Sequence, residues 1–311
     1  IMSPVVEFYS VSKCFGSKLL VDNVSFKLNP KEITTLIGQN GAGKTTFIRI
    51  INQITQADSG EVFINGEKLN PHHIKDIGYM PEERGLYKNM TVGDQILYFG
   101  ALKGMKKQDA LSQAKYWFDR LEIDQWWNKK LSELSKGMAQ KIQFVVTVLH
   151  QPKLLILDEP FSGFDPVNAN LVKDQILQLK EQGTTIILST HRMESVEELC
   201  DSVALINKSR KILDGKVFEV REKFKQNLFN VVLSDVNAEN LETLKNQYQL
   251  VNIHDQHGLI SFDLNYNEDQ NLLLNDLMKA GKIRSFDEKI PSMNEVFITA
   301  VSSPQSAISS L

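Results

Sequence analysis

The sequence has few cysteines, no excess of basic residues and no long apolar runs. Each of these features argues against a class of protein. Only two cysteines, Cys14 and Cys200, occur among 311 residues, too few for a disulfide framework and without metal-ligand spacing. The net charge of −3 lacks the basic excess usual in nucleic-acid-binding proteins. No apolar run approaches the roughly 18 residues that a bilayer-spanning helix needs. We therefore expect a globular protein that neither crosses a membrane nor binds nucleic acid.

Short apolar runs alternate with helical patterns along the first two thirds of the chain. The runs that predict strands are 34–37, 77–80, 154–157, 185–188 and 202–206. Helical patterns lie at 44–53, 86–150, 166–182 and 192–200. Such alternation predicts an α/β fold in which helices cover the faces of a parallel sheet. Period-two patterning within residues 1–30 predicts further strands.

A change in composition after about residue 225 predicts a second domain. Residues 231–300 hold 11 acidic and 5 basic side chains, which makes this part of the chain acidic. Its strand patterns are 229–233 and 259–264, and its helical patterns are 239–248 and 271–281. These features predict a small α+β domain at 226–301. The Ser-rich end, 302–311, has no core pattern and is predicted to be a loose tail.

A glycine-rich segment between a predicted strand and a predicted helix matches the phosphate-binding loop pattern G-x-x-x-x-G-K-[S/T]. It reads Gly38-Gln39-Asn40-Gly41-Ala42-Gly43-Lys44-Thr45. Its glycines let backbone N–H groups turn toward a polyphosphate, and the following helix directs its positive end there. Lys44 is predicted to act on the β- and γ-phosphates, and the Thr45 hydroxyl to ligate Mg²⁺. The predicted ATP-binding residues of this segment are Gly38, Asn40, Gly41, Ala42, Gly43, Lys44, Thr45 and Thr46.

Two carboxylates end the apolar strand at 154–157. Asp158 is predicted to hold Mg²⁺, and Glu159 to polarise the attacking water as general base. An apolar run that ends in acids is weak evidence by itself. Together with the loop that carries Lys44, it predicts a nucleotide-hydrolysing site.

At this point the chain resembles the ABC ATPase family. Leu134-Ser135-Lys136-Gly137-Met138 is similar to the family's signature motif, whose common form is L-S-G-G-Q. Lys136 and Met138 stand where that form has Gly and Gln. The resemblance implies that Ser135 and Gly137 contact the ATP held by an opposite subunit. It also implies a RecA-like core, an antiparallel β part and a helical subdomain at about 86–150, all within residues 1–225.

Further segments fit the same resemblance. Asp165 lies in a segment similar to the D-loop at the dimer contact, and His191, 32 residues after Glu159, resembles the switch histidine that contacts the γ-phosphate. Phe15 occupies the position of the aromatic ring that stacks on adenine, although an aromatic residue there could equally belong to a core. Glu82 falls where the family has the Q-loop glutamine. A carboxylate there either reaches Mg²⁺ or the water, or points outward to pair with Arg84 or a partner protein.

The resemblance implies the ATP-binding and ATP-hydrolysing motor of an ABC membrane transporter, with ATP and Mg²⁺ as cofactors. The run 78–87 and the ending 291–297 resemble the NatA-type ATPases of bacterial exporters. The expected partners are a transmembrane permease subunit and a second ATPase subunit, the same or different, and the expected place is the cytoplasmic face of the cell membrane.

The alternative is a soluble ABC ATPase that acts on nucleic acid or ribosomes. Such proteins usually carry a long coiled coil or two cassettes, whereas only 90 residues separate Lys44 from Ser135 here. A non-hydrolysing switch is a third alternative, and the presence of Glu159 and His191 argues against it.

Overall fold

The computed structural model describes residues 3–83 and 85–302. The strands are β1 (Val6–Phe15), β2 (Lys18–Leu28), β3 (Ile33–Ile37), β4 (Ser59–Ile64), β5 (Glu67–Lys68), β6 (Ile77–Met80), β7 (Leu154–Asp158), β8 (Thr185–Ser189), β9 (Ser202–Asn207), β10 (Arg210–Lys216), β11 (Leu228–Ser234), β12 (Leu250–Gln256), β13 (Leu259–Asn265) and β14 (Lys282–Glu288). The α-helices are α1 (Lys44–Ile51), α2 (Val92–Leu102), α3 (Lys107–Leu121), α4 (Lys136–Val148), α5 (Pro166–Glu181), α6 (Met193–Leu199), α7 (Val217–Lys223), α8 (Ala238–Gln247), α9 (Gln270–Ala280) and α10 (Met293–Ser302).

A six-stranded sheet in the order β10-β9-β3-β8-β7-β6 forms the centre of the first part of the chain. Its strands run parallel except β10, which pairs antiparallel with β9. Every residue of β3, β7 and β8 is buried, because these strands are covered on both faces. The carboxyl ends of β3, β8 and β7 lie side by side at one edge, where α/β proteins bind their ligands.

A second sheet, in the order β2-β1-β4-β5, is antiparallel and shares a core with α1. Three phenylalanines form the centre of this contact. The rings of Phe8 and Phe26 stack at 4.6 Å, and Phe47 of α1 meets them edge-on at 5.6 and 5.7 Å. This packing fixes the helix that follows the glycine-rich loop.

The helices α2, α3 and α4 form the helical part between β6 and β7. Thr91 caps α2 by accepting from the Asp94 N–H at 3.1 Å. The close packing of this region requires glycine at Gly93, since a Cβ there would lie 2.5 Å from the ring of Trp127. The parallel sheet, the antiparallel sheet and the helical part confirm the predicted fold class.

Contacts divide the chain into two compact units. The first contains the residues up to Val217 and the described residues from Phe297 onward, and the second is Phe218–Val296. In the second, an antiparallel sheet in the order β12-β13-β11-β14 packs against α8 and α9. Phe229 and Phe286 stack at 5.0 Å within it. The domain limits predicted from sequence, 1–225 and 226–301, stay predictions, and the predicted tail lies outside the described residues except for Ser302.

Candidate nucleotide site

The glycine-rich loop connects β3 to α1 at the carboxyl edge of the parallel sheet. Gly41 and Gly43 have φ angles of +79° and +114°, which other residues rarely adopt. A Cβ on Gly38 would collide with the backbone oxygen of Ile206, and one on Gly43 with that of Leu20. The loop thus needs glycine both for its backbone angles and for its close approach to neighbouring strands.

Lys44 is half-buried and folds back over this loop. Its Nζ donates to the carbonyl oxygen of Gly38 at 2.5 Å and to that of Gln39 at 3.2 Å. Burial lowers the pKa of Lys44, and the nearby carboxylates of Glu159, Asp158 and Glu82, in that order, oppose the decrease. The ammonium group therefore lies in the loop and within electrostatic range of all three predicted acids.

The remaining residues of the loop surround this lysine. Asn40, Gly41 and Thr45 are exposed, whereas Ala42 and Thr46 are buried. Thr45 lies in the first turn of α1, where the next N–H, that of Thr46, donates to the Gly43 carbonyl at 2.9 Å. Phosphate oxygens and a cation would bind at the exposed part of this loop and at the Thr45 hydroxyl.

Asp158 ends β7 next to the end of β8. It is 5% exposed, and its register partner is Ser189, which also hydrogen-bonds its side chain. Burial raises the pKa of Asp158, and the charges of Glu82 and Glu159 raise it further. A buried carboxylate among other acids is stabilised by a cation, and the magnesium role of Asp158 stays a prediction.

Glu159 is held in a strained backbone conformation with φ of +49°. Its N–H donates to the Ser189 carbonyl at 2.8 Å, which fixes the turn after β7. One carboxylate oxygen lies 2.7 Å from Nδ1 of His191, and the other accepts from the Thr190 hydroxyl at 3.3 Å. The Glu159 side chain is 13% exposed and that of His191 is 71% exposed. Thus Glu159, the predicted base, contacts both His191, the predicted switch histidine, and Thr190. The sequence analysis assigned no role to Thr190.

Ser135 caps α4 by accepting from the Met138 N–H at 3.2 Å. Next to it, the stem of Lys136 covers Gly163, where a Cβ would lie only 2.7 Å from Cε of the lysine. A Cβ on Gly137 would be 3.3 Å from the Gly163 carbonyl oxygen. The signature-like segment therefore packs directly on the loop that precedes α5.

Asp165 caps α5 in this structure. Its carboxylate accepts from the Asn168 N–H at 3.0 Å and from the Asn168 side-chain amide at 2.6 Å. These two hydrogen bonds hold the pKa of Asp165 below its ordinary value. The predicted role of this residue at a dimer contact stays a prediction.

Phe15 ends β1 at a hairpin turn and is 50% exposed. The ammonium of Lys13 lies 5.3 Å from the centre of its ring, in cation–π range. Gly16 supplies the positive φ of the turn, +59°. The alternative that Phe15 is a core residue is wrong, because half of the side chain faces solvent.

Glu82 is exposed in the segment after β6. Its charge raises the pKa of Asp158, after burial as the main cause. Burial, then Asp158, also raise the pKa of Tyr79 to about 12, with a smaller contribution from Glu82. These effects place the Glu82 charge near Asp158 and Tyr79. The alternative, a pair with Arg84, involves a residue that lies outside the described ones.

The oxygen groups of Thr45, Asp158 and Glu82 have the hard-ligand chemistry that Mg²⁺ prefers. Within residues 3–83 and 85–302, no group of three or more His, Cys, Asp or Glu side chains is placed to hold a metal ion by itself. Magnesium usually binds proteins through one or two carboxylates together with nucleotide phosphates.

The geometry defines the chain as a phosphate-loop protein with two acids and a histidine beside the loop. A profile of the family described as "ABC transporter" matches residues 21–162, and one described as "ATP-binding protein DrrA1-3-like, C-terminal domain" matches residues 215–301. An uncharacterised ABC transporter ATP-binding protein of Alkalihalophilus pseudofirmus is 40% identical over 266 residues, which cover 86% of this chain and 98% of that protein. Nod factor export ATP-binding protein I of Burkholderia lata is 34% identical over 68% of this chain and 70% of that protein. A solved ATP-binding subunit of an ABC transporter superimposes with a TM-score of 0.67 at 27% identity, over 71% of this chain and 93% of that one.

This chain belongs to the family of ABC transporter ATP-binding proteins and is an ATP-hydrolysing transporter subunit. The relatives give no support to an ATPase that acts on nucleic acid. Subunits of this family generally pair with transmembrane permeases and dimerise. Within the described part of this chain, no helix is both long and apolar enough to cross a bilayer.

Proposed function

We propose that this chain binds Mg²⁺ and ATP at the loop of Lys44, hydrolyses ATP with Glu159 as general base, and couples hydrolysis to an export permease. In this assignment Asp158 and the Thr45 hydroxyl hold the metal, and His191 contacts the γ-phosphate once it leaves the Glu159 carboxylate. Phe15 stacks on the adenine.

The observation that carries the assignment is the meeting of Lys44, Asp158 and Glu159 at one edge of the sheet. The charges of Glu159 and Asp158 oppose the decrease in the pKa of Lys44, and the charge of Glu159 helps to raise the pKa of Asp158, so the three groups lie within electrostatic range. A lysine for phosphates, a buried acid for a metal and a less buried acid for water are the parts that phosphoryl transfer needs.

A second copy, or a related ATPase subunit, would complete the site. Ser135 and Gly137 begin a helix on the same chain, yet the hydrogen bonds of the glycine-rich loop involve neither of them. A helix N-terminus with a serine hydroxyl suits the γ-phosphate of a nucleotide on a facing subunit. The expected assembly is therefore a dimer with two nucleotides between its subunits.

The permease is proposed to dock in an apolar groove of about 390 Å³ next to the Glu82 segment. Its lining includes Ile54, Tyr79, Leu86, Phe99, Leu102 and His150. Ile54 and Leu102 are 59% and 64% exposed, and Tyr87 and Tyr98 meet at 5.5 Å on the neighbouring surface. Exposed apolar and aromatic side chains beside a groove are typical of a protein-binding surface.

Two polar side chains of the groove wall are tied to the neighbouring backbone and carry no charge. Gln143 donates through Nε2 to the Pro81 carbonyl at 2.8 Å, and its Oε1 is buried without a partner among the described residues. His150 places Nε2 3.1 Å from the Ile77 carbonyl, which leaves buried Nδ1 as an acceptor. Burial lowers the pKa of His150 to about 4, so the ring is neutral near pH 7. The permease segment should therefore present mainly apolar side chains to this groove.

Substitution of the groove tests this proposal. Leu102→Glu places a charge in the groove, whereas Leu111→Glu changes a leucine of α3 that is 39% exposed and outside the lining. We expect wild type and Leu111→Glu, solubilised in mild detergent, to co-purify with the same multispanning membrane protein, and Leu102→Glu to lose it. The ATPase rate of the isolated chain should stay the same in both variants. Retention of that membrane protein by Leu102→Glu would place the docking surface elsewhere.

The proposal includes the direction of transport and the location of the protein in the cell. One relative is named for the export of Nod factor, which favours export here as well. The chain would act at the cytoplasmic face of the cell membrane, because ATP and the permease are both reached there.

A further inference from the structure

Helix α4 carries two buried glutamines on one face. Gln140 is 2% exposed and Gln143 is 3% exposed, and they are three residues apart, the spacing that makes side chains neighbours on a helix. The adjacent Ile142 and Phe144 are fully buried and apolar. A buried amide is unfavourable unless it is hydrogen-bonded, so an apolar residue would suit both positions if packing were their only role. The reason for the two amides therefore lies in what they bind.

Gln140 binds the turn that carries the proposed general base. Its Nε2 donates to the carbonyl oxygen of Pro160 at 3.3 Å. Pro160 is buried and directly follows Glu159, and because a proline has no backbone N–H, the carbonyl is the backbone group through which it can be anchored. Glu159 has a φ of +49°, a conformation that persists where the surroundings hold it. The Gln140 amide is one of the groups that hold this turn.

The first turn of α4 also packs on the loop that follows Glu159. Gly163 of this loop has a φ of +86°, and a Cβ there would lie 2.7 Å from Cε of Lys136. A Cβ on Gly137 would lie 3.3 Å from the Gly163 carbonyl oxygen. The loop is thus packed against α4 at Gly163 and hydrogen-bonded to it at Pro160, so its backbone takes its position from the helix.

Gln143 makes the same kind of contact with the segment that carries Glu82. Its Nε2 donates to the carbonyl oxygen of Pro81 at 2.8 Å. Pro81 directly precedes Glu82, whose charge helps to raise the pKa of Asp158. Here too the anchored residue is a proline, held through its carbonyl. The two glutamines therefore fix the chain one residue after Glu159 and one residue before Glu82.

We propose that Gln140 and Gln143 are positioning residues for ATP hydrolysis, which fix the backbone beside Glu159 and beside Glu82 from one face of α4. Both amides act through the neighbouring acid and not on the reacting atoms. The proposal rests on the function proposed above, in which Glu159 is the general base. A misplacement of such a group by about 1 Å can cost about 10²-fold in rate, so a single anchoring hydrogen bond is sufficient to matter.

Gln140→Met tests the anchor of the base, because methionine has nearly the size of glutamine and cannot donate. We expect kcat to fall about tenfold and the dissociation constant for ATP to stay within about twofold, since the phosphate loop keeps its contacts. Gln175→Met is the matched control. Gln175 is a 7% exposed glutamine of α5 that accepts from Arg120 Nε at 2.6 Å, and its loss should leave both quantities unchanged. Gln140→Asn, whose amide is one methylene shorter, serves in the same assays if Gln140→Met does not fold.

Hydrogen exchange of the full chain, followed by mass spectrometry, separates the two anchors without use of the activity. Gln140→Met should raise exchange in peptides that contain 159–164 and not in those that contain 80–83. Gln143→Met should do the reverse. A general loss of stability would raise exchange in both segments alike, and that result would contradict the two separate roles.

A double-mutant cycle shows whether Gln140 acts through Glu159. In the Glu159→Gln background, Gln140→Met should cause no further decrease in the single-turnover rate. A further tenfold decrease there would refute positioning of Glu159 by Gln140.

The proposal is also wrong if Gln140→Met keeps the wild-type kcat while Glu159→Gln loses it. The same holds if Gln175→Met lowers kcat as much as Gln140→Met, because the effect would then follow from the loss of any buried hydrogen bond. Failure of the proposed function has a different sign, since Glu159→Gln itself would then hydrolyse ATP at the wild-type rate.

Discussion

Glu159→Gln is the most direct test of the chemistry, because the substitution changes the charge and little else. The amide keeps the size of the carboxylate, can accept from Thr190 and can pair with His191 across the present 2.7 Å. The turn after β7 is fixed by the Glu159 N–H, which the substitution leaves in place. The variant should therefore fold with an unchanged unfolding temperature.

Loss of a general base typically slows a reaction by about 10²–10⁴-fold. We expect at least a ~100-fold decrease in kcat, which corresponds to about 2.7 kcal/mol in the activation free energy. Binding of ATP should be equal or tighter, because one of the negative charges near Lys44 disappears. An ATP-dependent dimer should also accumulate, since it is no longer reset by hydrolysis.

Phosphate release, titration with a fluorescent ATP analogue and light scattering with and without ATP measure these three quantities. Glu181→Gln is the matched control, an exposed acid at the end of α5 that should leave all three unchanged. If Glu159→Gln turned over at a rate within about threefold of wild type, Glu159 would not be the base.

Three further changes test other parts of the site. Lys44→Ala should abolish turnover and weaken ATP binding, because the ammonium held in the loop is lost; wild-type affinity in a binding titration would contradict this role. Glu82→Gln should raise the Mg²⁺ concentration for half-maximal ATPase activity, whereas Glu83→Gln, the neighbouring exposed acid, should not; equal titration curves for both would make Glu82 a simple loop residue. Lys136→Gly should lower the unfolding temperature by about 2–4 °C through helix propensity and lost packing, while Lys136→Met, which keeps the stem, should leave it unchanged in calorimetry.

The central strands could be predicted because burial on both faces leaves an unbroken apolar run. Residues 154–157 and 185–188 show this pattern, and the structure has β7 and β8 there. In contrast, β12 (Leu250–Gln256) was missed, because it is an edge strand whose residues are all exposed except half-buried Leu250. Such a strand carries no periodic apolar signal.

The local motifs of the site were also predictable, whereas its long-range contacts were not. The glycine-rich loop and the two acids after β7 are continuous in sequence. The pairing of Glu159 with Thr190 and His191 depends on the register between β7 and β8, which joins Asp158 to Ser189. The cap formed by Asp165 could have been found, since Asp followed by Pro is a common start of a helix.

The charges of the site explain why metal and nucleotide should bind together. Asp158, Glu159 and Glu82 act on one ammonium, that of Lys44, so the fully ionised group carries an excess of two negative charges. Burial and the two other acids raise the pKa of Asp158. A further negative charge at this place is therefore unfavourable even before a phosphate binds. Without a cation, ATP adds further negative charge to this place, and the amides of the loop have to offset it alone. A divalent ion offsets the excess negative charge on the protein and part of that on ATP at once.

Replacing Glu82 by Gln removes one of these negative charges, so in the presence of a chelator Glu82→Gln should bind ATP more tightly than wild type. The same variant should need more Mg²⁺ for hydrolysis. A purely structural role for Glu82 would not produce both a higher ATP affinity without metal and a higher Mg²⁺ requirement.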